Sequence, residues 1–114
     1  MKVLMTFLVA LLAFQLNAQD IVGDWNGKLS FQGTELRIVF HVTSQDGNYM
    51  ATMDSPDQGA AGIPTEKVTY ENGKLTIKSS DIMMEYIATL DANGETLKGT
   101  FNQAGVSIPL EMTK

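Results

Sequence analysis

The sequence predicts an all-β domain: a small, eight-stranded, antiparallel up-and-down barrel. Three observations predict it. Apolar and polar residues alternate with a period of two from Asp20 onward, and no stretch carries a helical period over two turns. Tight-turn dipeptides separate the alternating runs, among them Asp46-Gly47, Asn72-Gly73 and Ala104-Gly105. With eight such runs, a flat sheet would leave one apolar face and two edges open, so the sheet is expected to curl into a closed or nearly closed barrel.

The strands follow in order. Trp25, Leu29 and Phe31 share one face of the first. Leu36, Ile38, Phe40 and Val42 share a face of the second, opposite Arg37, Val39 and His41. The third runs through Tyr49, Ala51 and Met53. Segment 54–64 reads as the one long irregular piece. Val68 and Tyr70 mark the fourth strand, Leu75 and Ile77 the fifth, and Met84, Tyr86, Ala88 and Leu90 the sixth. Leu97, Gly99 and Phe101 form the seventh; Ile108, Leu110 and Met112 form the eighth. Pro109 on the polar face of that last strand points to an edge or closure position, because proline donates no ladder hydrogen bond. Met50, Met53, Met83 and Met84 are expected to fill core gaps.

Residues 1–18 read differently. Lys2 precedes an apolar run over residues 3–14 and a short polar exit ending at Ala18. That is the layout of a cleaved export signal, and the run is too short to cross a bilayer. The expected mature domain is 19–114, periplasmic or extracellular, with no membrane span. Cleavage removes one charge, Lys2, and takes the net charge from −5 to −6.

Composition narrows the function classes. A cysteine-free chain has no disulfide, zinc-thiolate site or thiol nucleophile. An acidic chain without a basic cluster lacks the footprint for nucleic-acid phosphates. A single histidine defeats most zinc sites, and no cofactor or metal site is expected. Catalysis is not expected either, since no nucleophile elbow places a serine on a strained turn.

The candidate binding residues fall into three groups. Trp25 and Tyr86 are aromatic residues expected near a lumen or its mouth. Arg37 and His41 face either solvent or the lumen, depending on which side of their strand is inside; inward, they would anchor an acidic head group. Asp54, Ser55, Asp57 and Gln58 surround Pro56, which suits a turn capped by its own side chains, a lid over the mouth, or a weak calcium loop.

Gly23-Asp24-Trp25 resembles the Gly-x-Trp signature that opens lipocalins and related calycin barrels, where the tryptophan plugs the barrel base. In those barrels a basic residue from the last strand often packs on the tryptophan; that partner is not recognisable here, Lys114 being the only candidate, and in this the chain departs from lipocalins proper. Segment 54–64, with the run Gly23-Asp24-Trp25-Asn26-Gly27 and the stretch 36–41, resembles the N-terminal non-catalytic region of secreted alpha/beta hydrolases of Bacteroidota-type bacteria. The resemblance extends over the expected mature chain to Pro109-Leu110. The Gly-x-Ser-x-Gly pentapeptide of those hydrolases does not occur in this sequence, so hydrolase activity does not carry over. The resemblance implies an accessory lipocalin-like β-barrel. The function expected from these readings is non-covalent binding of a small apolar molecule in the lumen or at its mouth. The alternative is a docking or inhibitor module that uses segment 54–64 and the barrel rim to hold a basic protein partner. The sequence leaves the oligomeric state open.

Overall fold

The computed structural model of the chain describes residues 20–114; the export segment expected over 1–18 lies outside them. Period-two alternation becomes nine antiparallel strands: β1 (Gly23–Phe31), β2 (Thr34–Gln45), β3 (Asn48–Ser55), β4 (Ala60–Pro64), β5 (Lys67–Glu71), β6 (Lys74–Ser79), β7 (Met84–Leu90), β8 (Thr96–Gln103) and β9 (Val106–Thr113). They form one curled, barrel-like sheet in the order β4-β3-β2-β1-β9-β8-β7-β6-β5.

The count is nine rather than eight because segment 54–64 is not irregular. β3 runs through Ser55, a single 3-10 turn covers Pro56–Gln58, and β4 pairs back on β3. The two edge strands of the sheet, β4 and β5, are consecutive in the chain. The chain leaves β4 after Pro64 and meets β6 at Glu66, whose amide donates to Lys78 O at 3.0 Å. Two hydroxyls knit this seam: Thr65 Oγ1 donates to Ala51 O (2.6 Å), and Ser79 Oγ donates to Pro64 O (2.8 Å).

The interior holds the faces that alternation assigned to it. Trp25, Ile38, Phe40, Leu75, Ile77, Tyr86, Leu97, Phe101, Leu110 and Met112 are fully buried or nearly so. Phe40 and Tyr86 stack with ring centroids 5.4 Å apart. The Tyr86 hydroxyl donates to Leu110 O (2.8 Å), and burial pushes its proton affinity well above the ordinary phenol range. These side chains fill the centre of the barrel. Truncating one such ring to alanine costs about 3–5 kcal/mol.

Trp25 closes one end. Its Nε1 donates to Ile21 O (2.8 Å), and Lys114 Nζ stands 5.4 Å from the ring centroid while donating to Asp20 O (3.1 Å). The first and last segments of the domain are thus tied together by one cation–π contact. The methionines divide. Met53, Met84 and Met112 are core, but Met50 and Met83 are exposed, contrary to the packing role expected for both.

At the other end the sheet opens. β1 and β9 pair through Asn26–Thr113 and Gly27–Met112, and the ladder is not continued toward the β1–β2 and β8–β9 turns. Gly27 marks the end of the ladder: a Cβ there would stand 2.6 Å from Glu111 O. Pro109 belongs to the part of β9 that pairs with β8 alone, so the closure position expected for it is a half-open one.

Candidate functional site

The eight residues singled out in the sequence do not converge on one site. Trp25 and Tyr86 lie in the filled interior, with no exposed surface. Arg37, His41, Asp54 and Asp57 lie on the outer face of β1–β4, so the polar side of β2 faces solvent rather than a lumen.

That outer face carries two polar clasps. Arg37 holds Asp57 by Nη2 to Oδ1 (2.8 Å) and Nε to both carboxylate oxygens (3.2 and 3.3 Å), while the Arg37 amide donates to Asp57 Oδ2 (2.8 Å). The guanidinium lowers the Asp57 proton affinity and has its own raised in return. The 3-10 turn is therefore pinned onto β2. Inside the turn Ser55, itself buried, donates to Gln58 Oε1 (2.6 Å), a bond between side chains that leaves the turn without a side-chain cap.

The second clasp is centred on His41. Its Nδ1 lies 2.7 Å from Asp24 Oδ1 on β1, and its Nε2 lies 2.7 Å from Asp54 Oδ2 on β3. Asp54 Oδ1 also accepts from the Gly62 amide on β4 (2.8 Å). The hydrogen bonds to Asp24 and then to Asp54 raise the proton affinity of His41, favouring the imidazolium, which donates from both nitrogens. Asp54 is correspondingly held below the usual carboxylate range, first by the Gly62 amide and then by His41. An imidazole with both nitrogens engaged and a serine bonded to glutamine do not form a nucleophile–base pair. Among the described residues no three His, Asp or Glu side chains are grouped to hold a metal ion.

A largely apolar concavity of ligand-like dimensions lies elsewhere, at the end of the barrel where the β1–β9 ladder has stopped. It measures about 510 Å³ and is floored by Leu29, Leu36 and Ile108, with Phe31, Met83 and Val106 at its rim. Small-molecule sites generally fall between roughly 300 and 1,000 Å³ and are largely apolar. Phe31 (43 % exposed), Met83 (67 %) and Val106 (40 %) are three of the four large apolar side chains exposed among the described residues. Gln103 reaches the rim and donates to Ile82 O (2.9 Å), and the Ala104 amide donates to Met83 O (3.1 Å), which ties the 3-10 turn Ser80–Ile82 to the β8–β9 turn.

Met83 shares a positive φ with Gln32 and Ala104, which also line the cleft, but it alone of the three is a large apolar side chain. Ser55-Pro56-Asp57-Gln58-Gly59 and Ser79-Ser80-Asp81-Ile82-Met83 build the same turn. Each starts from a buried serine, carries an aspartate at the second turn residue, and ends on a left-handed residue whose amide closes the turn. In the first the left-handed residue is Gly59; in the second it is Met83, at φ 52° and ψ 46°. A side chain in that conformation costs about 1–2 kcal/mol, and this one is also exposed. Sequence reasoning passed over Met83, Phe31 and Val106 because each sits at the end of an alternating run. The signal that could have found Met83 is the Ser-x-Asp-x-x spacing, with methionine where its twin has glycine; Phe31 and Val106 carry no such signal.

The chain matches no protein-family model and no curated protein.

Proposed function

We propose that the protein is an exported, non-catalytic binding domain whose ligand site is the apolar cleft at the open end of the barrel, rather than a lumen. The observation that carries this reading is the clustering of Phe31, Met83 and Val106 around one cleft, at a strained backbone position in the case of Met83. Strain and apolar exposure at the same point both work against stability, and residues held so are concentrated at sites of binding. The filled interior favours a site at the mouth over one in the lumen. The Lys114–Trp25 contact at the closed end agrees with the lipocalin-like resemblance, since it supplies the basic partner from the end of the chain.

The test is amide chemical-shift mapping with 1-dodecanol as an apolar probe. Shifts are expected at Phe31, Met83, Val106 and their neighbours, with affinity falling at least tenfold in a Phe31→Ser, Val106→Ser double variant. Shifts that map to another surface, or none on the wild-type protein, would remove the reading.

A further inference from the structure

The chain has no cysteine, so its thioethers are the only sulfur that an oxidant can attack. The described residues include Met50, Met53, Met83, Met84 and Met112. Met53, Met84 and Met112 are buried, whereas Met83 is 67 % exposed and Met50 51 %. An oxidant must touch the sulfur to react with it, so Met83 and Met84, neighbours in the chain, should have opposite fates. Trp25, another oxidisable side chain, has no exposed surface.

Position separates the two exposed thioethers. Met83 lines the apolar cleft together with Leu29, Phe31 and Val106. It also lines an adjoining concavity of about 400 Å³, walled in part by Lys78, Ser80, Glu85 and Asn102. Met50 stands on β3 and lines neither. The backbone at Met83 is fixed independently of its side chain: its amide donates to Ser80 O (3.2 Å), and its carbonyl accepts from the Ala104 amide (3.1 Å). A change confined to the side chain therefore leaves the turn closed and alters what the cleft is lined with.

We infer that Met83 is an oxidation site, and that its conversion to the sulfoxide turns the cleft rim from apolar to polar and releases an apolar ligand. The oxidant is a hydroperoxide, hydrogen peroxide in the simplest case. A sulfur lone pair attacks one peroxide oxygen, and the S–O bond forms as the O–O bond breaks. The departing hydroxide takes the proton of the transferred oxygen and leaves as water, so sulfur is oxidised and the peroxide reduced by one electron pair. The product is a polar side chain. Beside Phe31 and Val106 it holds water that an apolar ligand must strip without supplying a hydrogen bond in return, which is unfavourable. The loss of binding rests on the reading of the cleft as the ligand site; the order of oxidation does not.

The test follows hydrogen peroxide treatment of the purified protein by peptide mass mapping over time. Met83 and Met50 are expected to gain oxygen at least tenfold faster than Met53, Met84 and Met112. When the exposed pair alone has reacted, affinity for 1-dodecanol should be at least fivefold lower than before treatment. The same loss is expected in Met50→Leu and none in Met83→Leu, each compared with its own untreated sample. Reduction by a methionine sulfoxide reductase should restore the wild type. Oxidation of Met83 no faster than that of the buried three overturns the inference, as does a loss of affinity that persists in Met83→Leu. If Met83 is oxidised and 1-dodecanol binds the cleft as tightly as before, the switch fails and the cleft stands as the ligand site. If 1-dodecanol maps to another surface of the untreated protein, or to none, the functional reading fails and the switch with it.

Discussion

The Nε2 atom of His41 lies 2.7 Å from a carboxylate oxygen of Asp54, and the other oxygen of that carboxylate accepts the Gly62 amide, so one hydrogen-bond chain crosses from β2 through β3 to β4. With Asp24 on the far nitrogen, the chain spans four strands of the outer face. The folded state raises the proton affinity of His41. Its stabilisation is therefore fully present below the ordinary histidine value of 6.5 and fades as pH rises through the higher folded value. Asp54 is shifted the other way. Its contribution is present above the ordinary 3.8 and is lost as pH falls through the lower folded value. Both contributions are complete between those two ordinary values. The Tm difference between wild type and His41→Gln is expected to be largest near about pH 5 and to shrink steadily in alkaline buffer. The pair is partly exposed and screened, so the difference should stay within about 5 °C. A difference that grows with pH would contradict this assignment.

The Arg37–Asp57 clasp should act locally. Both side chains are at the surface, and the carboxylate's distinctive partner is the Arg37 amide rather than another charge alone. Asp57→Ala is expected to leave Tm almost unchanged while speeding exchange of the Arg37 amide and proteolysis between Pro56 and Gly59. Hydrogen exchange and limited proteolysis read these directly, and protection equal to wild type would show that the turn holds without the clasp.

Alternation shows which residues share a face, Ile38, Phe40 and Val42 on one side of β2 and Arg37 and His41 on the other, but leaves open which side is inside; the structure buries the apolar side. The site was less legible, for two physical reasons. Polar residues drew attention to segment 54–64, but Asp54 and Asp57 use their hydrogen-bonding capacity on His41, Gly62 and Arg37, which makes them structural clasps. The cleft depends on where β1 and β9 stop pairing. That is a long-range property, set by the approach of Gly27 to Glu111 and invisible in the local pattern of either strand.

Gly99 of β8 is held directly against the backbone of β7. It pairs with Ala88 across β7–β8, and a Cβ at Gly99 would stand 2.0 Å from Ile87 O and 2.5 Å from the Ala88 Cα. These are backbone atoms, which cannot swing aside. Gly99→Ala is expected to destabilise the fold by about 3 kcal/mol or more through forced separation of the two strands. Gly47→Ala provides the contrast, because nothing lies within 4 Å there and the cost comes from its φ of +81° alone. That cost should be about 1–2 kcal/mol. Urea unfolding of the two variants separates steric from conformational strain, and equal losses would show that β7 and β8 can part without penalty.

Met83 offers the sharpest separation of stability from binding. Its twin position, Gly59, shows that the turn closes equally well without a side chain: the closing bonds are 3.0 Å at Gly59 and 3.2 Å at Met83. Met83→Gly removes a left-handed methionine and an exposed apolar side chain together. The variant is expected to be more stable than wild type by roughly 1 kcal/mol, less whatever the added freedom of glycine costs the unfolded chain. Binding at the cleft should move the opposite way. Met83 supplies rim contact at the mouth, so affinity for a cleft ligand is expected to fall about five- to tenfold, in line with the loss of a partly buried apolar side chain. Urea unfolding and a titration with 1-dodecanol read the two effects on the same preparation. A variant that gains stability and keeps full affinity would remove Met83 from the site, and one that loses stability would mean that the side chain holds the rim together as part of the fold.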